Sequence, residues 1–314
     1  MQERIAVLRQ KIHGMDAREY RDAIEKRLPD CRIDLATTPA EEREYLESAT
    51  IATGLEITPA QLETAEELEL FACVFAGTDH LDLPAFEDHG VAVTNAAGVH
   101  GPKIAEFVTG SMIAMSQQFH RGWKQQANAE WRSYQTRELY DSTVAIIGLG
   151  ELGTTIADRL DAFGMETVGV RYSPEKGGPT DEVYGFEEIH EAVAGAEYVV
   201  VACRLTDATE GMIDSSVLRT MASDALLVNI ARGPVVETDA LVHTLQHNGL
   251  AGAVLDVTDP EPLPQDHVLW SMENVMITPH NSGHTPEYFN RCADILAANV
   301  QARAEGEKLE NRVI

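Results

Sequence analysis

The chain has 314 residues, 44% of them hydrophobic, which is long for one core and enough to fill two. Its 24 Lys and Arg stand against 51 Asp and Glu, a net charge of −27 with a pI near 4.6, so its surface repels nucleic acid and anionic membranes. Lysine occurs only as Lys11, Lys26, Lys103, Lys124, Lys176 and Lys308. An acid-rich, lysine-poor surface is what a halophilic protein carries, because concentrated salt screens the self-repulsion.

The first residues, Met1-Gln2-Glu3-Arg4-Ile5, are charged and lead into no apolar stretch of signal-peptide length. Short apolar runs then alternate with helical patterns, which predicts parallel sheets covered by helices. Strands are expected near Ile5 to Leu8, Ile33 to Ala36, Ile51 to Ala52, Ala72 to Ala76 and Val91 to Thr94. Helices are expected at Ala17 to Arg27 and Glu41 to Ser48, and a long helical pattern runs from Pro102 to about Ala127. A second set of strands is expected before Gly148 and at Glu166 to Val170, Tyr198 to Ala202, Leu226 to Asn229, Gly252 to Leu255 and Val275 to Ile277. Pro286 to about Ala304 reads as a last helix, long enough to return to the first domain. The longest apolar runs, such as Tyr198 to Cys203, are too short to span a bilayer. Cys31, Cys73, Cys203 and Cys292 form no C-x-x-C and read as free buried thiols of a cytoplasmic protein.

Thr143-Val144-Ala145-Ile146-Ile147 runs directly into Gly148-Leu149-Gly150-Glu151-Leu152-Gly153, and Thr154 to Phe163 reads as a helix stopped by Gly164. A G-x-G-x-x-G between a strand and a helix is a dinucleotide site. Gly148 allows the tight turn, Gly150 lets the backbone approach a pyrophosphate, Gly153 permits close packing, and the amides opening the helix meet the negative charge. The next strand ends at Val170, where an NAD-binding chain usually places an acid for the ribose 2′-hydroxyl. Here the residues are Arg171-Tyr172-Ser173, with Lys176 close behind. Basic loops are ordinarily just solvated, but this one is a rare basic cluster in a very acidic chain. Its guanidinium and hydroxyl suit the 2′-phosphate of NADP, so NADP(H) is favoured and NAD(H) is the alternative.

Three later segments follow predicted strands: Asn229-Ile230-Ala231-Arg232-Gly233, Leu255-Asp256-Val257 leading to Glu261-Pro262-Leu263-Pro264, and Thr278-Pro279-His280-Asn281-Ser282-Gly283. With the Ala76-Gly77-Thr78-Asp79-His80-Leu81-Asp82-Leu83 stretch, the glycine-rich loop and the ending Gly306 to Val313, they make nearly the whole chain resemble the D-2-hydroxyacid dehydrogenase family. The resemblance implies two Rossmann/flavodoxin-like doubly wound parallel-sheet α/β domains with a cleft between them. It places a substrate-binding domain at 1–98 and 286–314 and a dinucleotide-binding domain at 99–285.

It also implies NAD(P)-dependent reduction of a 2-oxo acid to the D-2-hydroxy acid, with Arg232, Glu261 and His280 as the catalytic residues. Such a reduction needs hydride at the carbonyl carbon and a proton at its oxygen. His280 can be the acid, Glu261 can fix its tautomer, and Arg232 can hold the carboxylate and polarise the carbonyl. By similarity, Asp256 holds the nicotinamide carboxamide. Leu149, Glu151, Leu152, Cys203, Arg204, Thr209, Ile230, Ala231 and Gly283 join the glycines, Arg171, Tyr172 and Ser173 around the coenzyme. Thr53, Gly54 and Leu55 match the family's substrate loop, where Gly54 lets the backbone approach the carboxylate and Leu55 lines an apolar pocket suited to an aliphatic acid.

Two positions depart from the pattern. Glu151 stands where a basic residue often sits beside the pyrophosphate, and Arg204 stands where a proline is common. Glu261 argues against a formate dehydrogenase, which pairs its histidine with glutamine. Phosphoglycerate dehydrogenases often append a regulatory domain, and with nothing following Ile314 here that form is not expected. A glyoxylate/hydroxypyruvate reductase is one specific form of the activity, and a cofactor-sensing corepressor on the same scaffold is the rival, separated from it by turnover. The family pattern suggests a homodimer paired through the cofactor domains. His280 and His284 stand four apart, but Pro279 and Gly283 make the segment a loop and no further ligand completes a set, so no metal is expected.

Overall fold

In the computed structural model, which describes residues 3–12 and 14–314, the alternating runs become two separate parallel sheets. The chain divides into two units, the first holding the described residues up to His100 with His284–Ile314, the second Gly101–Gly283.

The first unit contains β1 (Arg4–Val7), a two-residue antiparallel pair β2 (Lys11–Ile12) and β3 (Met15–Asp16), β4 (Arg32–Leu35), β5 (Ile51–Gly54), β6 (Leu70–Cys73) and β7 (Ala92–Thr94). Its main sheet runs β4-β1-β5-β6-β7, all parallel, so the order reverses between β1 and β5. Helices α1 (Ala17–Arg27), α2 (Pro39–Leu46), α3 (Pro59–Leu62) and α4 (Leu83–Asp88) lie between the strands. Asp16 with Glu19, and Thr38 with Glu41, form capping boxes that satisfy the first amides of α1 and α2. One sheet face packs Ile5, Val7, Ile51 and Leu70 against Tyr20 and Ile24 of α1. The other packs Ala6, Ala52, Phe71 and Val93 against Leu46, Leu62 and Phe86. The strand expected at Ala72 to Ala76 ends at Cys73, because the chain bends away at Val74 and leaves Phe75 exposed.

The second unit contains helices α5 (Gly101–Ser116) and α6 (Phe119–Ala127), then β8 (Thr143–Ile147), α7 (Glu151–Asp161), β9 (Glu166–Val170), β10 (Glu182–Tyr184), α8 (Ile189–Val193), β11 (Tyr198–Val201) and α9 (Ser215–Thr220). It ends with β12 (Leu226–Asn229), α10 (Thr238–Gln246), β13 (Gly252–Leu255) and β14 (Val275–Ile277). The sheet order is β10-β9-β8-β11-β12-β13-β14, all parallel, and reverses between β8 and β11. α5 and α7 cover one face and α8, α9 and α10 the other. This is the doubly wound order, whose ligand site lies at the carboxyl ends beside the reversal.

The single helix expected from Pro102 to Ala127 is two helices. Gln118 takes a left-handed conformation (φ 51°), and the side-chain amides of Gln117 and Gln118 leave the helix to bond the carbonyls of Arg137 and Gln135 at 2.7 and 2.9 Å. α11 (Tyr288–Glu305) belongs to the first unit, where Phe289 stacks on Tyr20 with ring centroids 5.0 Å apart. Among the described residues, all four cysteines are free. Cys73, Cys203 and Cys292 are buried, but Cys31 is half-exposed, since β4 is an edge strand with incomplete cover.

Candidate active site

The glycine-rich loop leaves β8 at the reversal of strand order. Gly148 has φ +108°, and a Cβ there would stand 2.6 Å from the Cα and N of Cys203, so only glycine lets the loops after β8 and β11 cross this closely. A Cβ on Gly153 would fall 1.9 Å from the Gly148 carbonyl oxygen, which locks α7 against the turn. Gly150 is different: nothing lies within 4 Å of its Cβ position, so its backbone faces open space at the start of α7. Gly148 makes the tight turn and Gly153 the close helix packing read from the motif. Leu149 is buried against Gly169 and Gly178, at both of which a Cβ would overlap its Cδ1. That slot for Leu149 was not read from the sequence, because β9 supplies one wall and a later turn the other.

Arg171 follows β9, its N–H bonding Tyr184 O at 3.0 Å and its Nη1 bonding Gly177 O at 2.5 Å. The guanidinium is thus half-buried on its own loop, with Ser173 beside it and Tyr172 exposed, edge-on to Phe186. Beyond β11, burial pushes the Cys203 thiol up to about 11, so it stays protonated and behaves as a small apolar group. The Thr209 hydroxyl donates to Arg204 O at 2.6 Å and accepts from Thr206 N–H at 2.8 Å, which ties the 204–209 loop together. Arg204 and Glu151 are exposed, Leu152 is half-buried, and Ile230 and Ala231 are buried after β12.

The ends of β12, β13 and β14 bring the later motifs together. Asn229, buried at the end of β12, accepts Ala231 N–H and donates to Arg232 O, turning the chain so that Arg232 is exposed. A Cβ on Gly233 would sit 2.0 Å from Thr258 O, so the Arg232 turn rests directly on the loop that carries Glu261. Glu261 Oε1 accepts Thr258 N–H at 3.1 Å, and its Oε2 meets Nδ1 of His280 at 2.9 Å. An ionised carboxylate only accepts, so Nδ1 carries the hydrogen and Nε2 is left to work on something else. Both side chains are about half exposed.

Asp256 organises this loop. Its carboxylate, 1% exposed, accepts Thr278 Oγ1–H at 2.6 Å and Asn281 N–H at 3.0 Å on Oδ1, and Ser282 N–H at 3.0 Å on Oδ2. Its backbone carbonyl accepts His280 N–H at 2.8 Å, where His280 holds a left-handed φ of 50°. Both carboxylate oxygens are therefore engaged by the chain's own donors, a task the resemblance to the carboxamide contact did not indicate. Gly283 closes the same turn.

In the first unit, Thr53, Gly54 and Leu55 end β5. The Thr53 hydroxyl donates to Ala72 O at 2.8 Å and so accepts from Tyr20 O–H at 3.0 Å; fully buried, its side chain belongs to the core. A Cβ on Gly54 would stand 2.8 Å from the Cβ of Leu8, so the missing side chain also lets β1 pack closely here. Leu55 is half-buried. Among the described residues no helix is long and apolar enough to cross a membrane, and no group of three His, Cys, Asp or Glu could hold a metal ion.

A doubly wound sheet with this loop at its reversal and a histidine–carboxylate pair at the ends of its later strands defines an NAD(P)-linked α/β oxidoreductase. Residues 109–282 match the sequence profile described as "D-isomer specific 2-hydroxyacid dehydrogenase, NAD binding domain". The glyoxylate reductase of Thermofilum pendens is 33% identical over 255 residues, covering 78% of this chain and 75% of that protein. Among solved structures, a D-isomer specific 2-hydroxyacid dehydrogenase family protein of Aeromonas salmonicida superimposes with TM-score 0.78 at 28% identity, covering 100% of this chain and 99% of that one. A D-isomer specific 2-hydroxyacid dehydrogenase of Xanthobacter autotrophicus, in complex with NADPH and MES, also gives 0.78 at 25% identity, covering 99% and 98%. The chain belongs to the D-isomer specific 2-hydroxyacid dehydrogenase family and is an oxidoreductase with an NAD-binding domain.

Proposed function

We propose that this enzyme reduces small 2-oxo acids to D-2-hydroxy acids with NADP(H) as the preferred coenzyme, and that His280 is the proton donor. The observation that carries the reading is the 2.9 Å contact between His280 Nδ1 and Glu261. It holds the ring so that Nε2 is the atom able to pass a proton to a carbonyl oxygen. Arg232, exposed on the turn that rests against the Glu261 loop, supplies a forked donor for the substrate carboxylate and polarises the carbonyl.

The coenzyme fits the residues present: Gly150 opens onto clear space at the amide end of α7, where a pyrophosphate is held. When bound, the reduced nicotinamide supplies the hydride. Arg171 and Ser173 are read as the 2′-phosphate contacts. Arg171 pairs with no carboxylate among the described residues, and its fork keeps donors beyond the one used on Gly177. The Thermofilum relative's name makes glyoxylate the first acid to try.

The experiment is turnover of glyoxylate, hydroxypyruvate, pyruvate and longer 2-oxo acids with each coenzyme at fixed salt, repeated on Arg171→Asp. The wild type should oxidise NADPH with at least one acid. The variant should lose at least ~10-fold in NADPH affinity, about 1.4 kcal/mol, while using NADH as well or better. No turnover with any acid would end the catalytic reading. A wild type preferring NADH would end the coenzyme reading alone.

A further inference from the structure

The Ala76–Leu83 motif has no task in the reaction proposed above, yet one of its members touches the loop at the end of β5. That loop stands where the order of the first sheet reverses, the place where open parallel sheets take ligands. Two successive peptide planes are held there from behind. The Gly54 carbonyl accepts Val74 N–H at 3.0 Å, and the Leu55 carbonyl meets His80 Nε2 at 2.9 Å. A carbonyl can only accept, so Nε2 carries the hydrogen. The His80 ring is in turn set edge-on against Phe75, with centroids 5.9 Å apart.

Both peptides are trans, so each N–H points opposite to its carbonyl. Leu55 N–H is directed away from Val74, and Glu56 N–H away from His80. Neither meets an acceptor among the described residues. Two adjacent amide donors with fixed directions form a receptor for a carboxylate. The first is fixed by backbone alone. The second is fixed through a side chain, at a position where sequence alone shows only a motif letter.

We infer that His80 is a positioning residue: its Nε2–H fixes the Leu55–Glu56 peptide plane so that Glu56 N–H is presented as a donor to the substrate carboxylate. This rests on the reading that the enzyme binds a 2-oxo acid through its carboxylate. His80 touches neither substrate nor coenzyme and acts only through the peptide it orients. The Cys73 thiol also donates to this carbonyl oxygen, at 3.7 Å, but as a weak S–H donor it holds the peptide less firmly than the imidazole N–H at 2.9 Å.

The test compares His80→Ala, His80→Gln and Arg232→Ala in the full chain, with NADPH saturating and glyoxylate, or the fastest acid of the panel, varied. His80→Ala should raise the KM for the acid at least ~10-fold while kcat and the KM for NADPH stay within about threefold, as expected for lost uniform binding. His80→Gln places an amide N–H at the reach of Nε2 and should return most of the affinity. An unchanged KM in His80→Ala, or a glutamine variant no better than alanine, overturns the inference. Arg232→Ala separates the two levels of the argument. If it weakens the acid while His80→Ala does not, only the role of His80 falls. If neither variant affects the KM, or no acid turns over in the wild type, the carboxylate reading falls and this inference with it.

Discussion

Asp256→Asn removes one negative charge and turns one acceptor oxygen into a donor at the point where the His280 loop is gathered. The best the amide can do is keep its oxygen on Thr278 and Asn281, which leaves its NH2 facing Ser282 N–H. One charge-assisted bond, about 1.5–3 kcal/mol, is lost, and a buried N–H left without an acceptor costs about 1–3 kcal/mol. The two overlap, so the expected loss is roughly 2–4 kcal/mol. Asp256 and Ser282 are only 1% and 3% exposed, so water does not refund it. For a unit of this size that lowers the melting temperature by about 5–15 °C. Turnover should fall by ~10² or more, because a shift of about 1 Å in His280 spoils the approach of Nε2. The assay is a thermal melt beside kcat and the coenzyme Kd from nucleotide fluorescence. A role confined to the coenzyme carboxamide would weaken coenzyme binding and leave the melt alone. A variant that melts within about 1 °C of the wild type with normal kcat would refute the reasoning.

His280→Gln should keep coenzyme binding while lowering kcat by at least ~10², since glutamine cannot transfer the proton; near-normal turnover would exclude His280 as the acid. The charge of −27 predicts that the melting temperature rises from low to molar KCl, where the Debye length falls to about 3 Å, and a steady decrease would contradict it. Burial pushes the thiols of Cys203 and Cys292 up to about 11 and about 12. Each holds its proton more tightly in the folded chain, so the stability tied to them is complete below the unfolded value of about 8.5 and is lost as pH rises through the folded values. Equilibrium unfolding at fixed salt should therefore show stability declining from about pH 9 upward; a flat profile to about pH 11 would show that the thiols do not contribute.

The parts of the enzyme written in contiguous residues were legible. Leu226–Asn229, Gly252–Leu255 and Val275–Ile277 are strands with the bounds their apolar runs suggest, and Gly148, Gly150 and Gly153 have the surroundings that the motif demands. Short helices were not: α3, α4, α8 and α9 have four to six residues, too few to display a helical period. The break at Gln118 was hidden because its cause, the carbonyls of Gln135 and Arg137, lies some twenty residues on. The packing of Leu8 on Gly54 was hidden for the same reason. A glycine in the sequence announces a close approach, but only the register of β1 beside β5 says that Leu8 makes it. The pairing of His280 with Glu261 came from their order among the motifs. The grip of Asp256 on residues 278–282 had no sequence signal, since any carboxylate after a strand reads alike.

The route of the chain through its two units sets an order of birth. Gly101–Gly283 is one uninterrupted stretch, whereas the first unit draws its last part from His284–Ile314. That part is not an ornament: Phe289 stacks on Tyr20, Tyr288 O–H bonds Val74 O, and Val313 N–H bonds Val93 O at 2.8 Å along the free edge of β7. On a ribosome adding roughly 5–20 residues per second, the residues up to His100 must wait tens of seconds for the α11 contact with α1. The coenzyme-binding half can close meanwhile, so the residues up to His100 are made before it and belong to a unit completed after it. During that interval the nascent chain offers chaperones a sheet without its α11 cover and with the edge of β7 unbonded, and a truncation within His284–Ile314 disturbs the half that was made earlier.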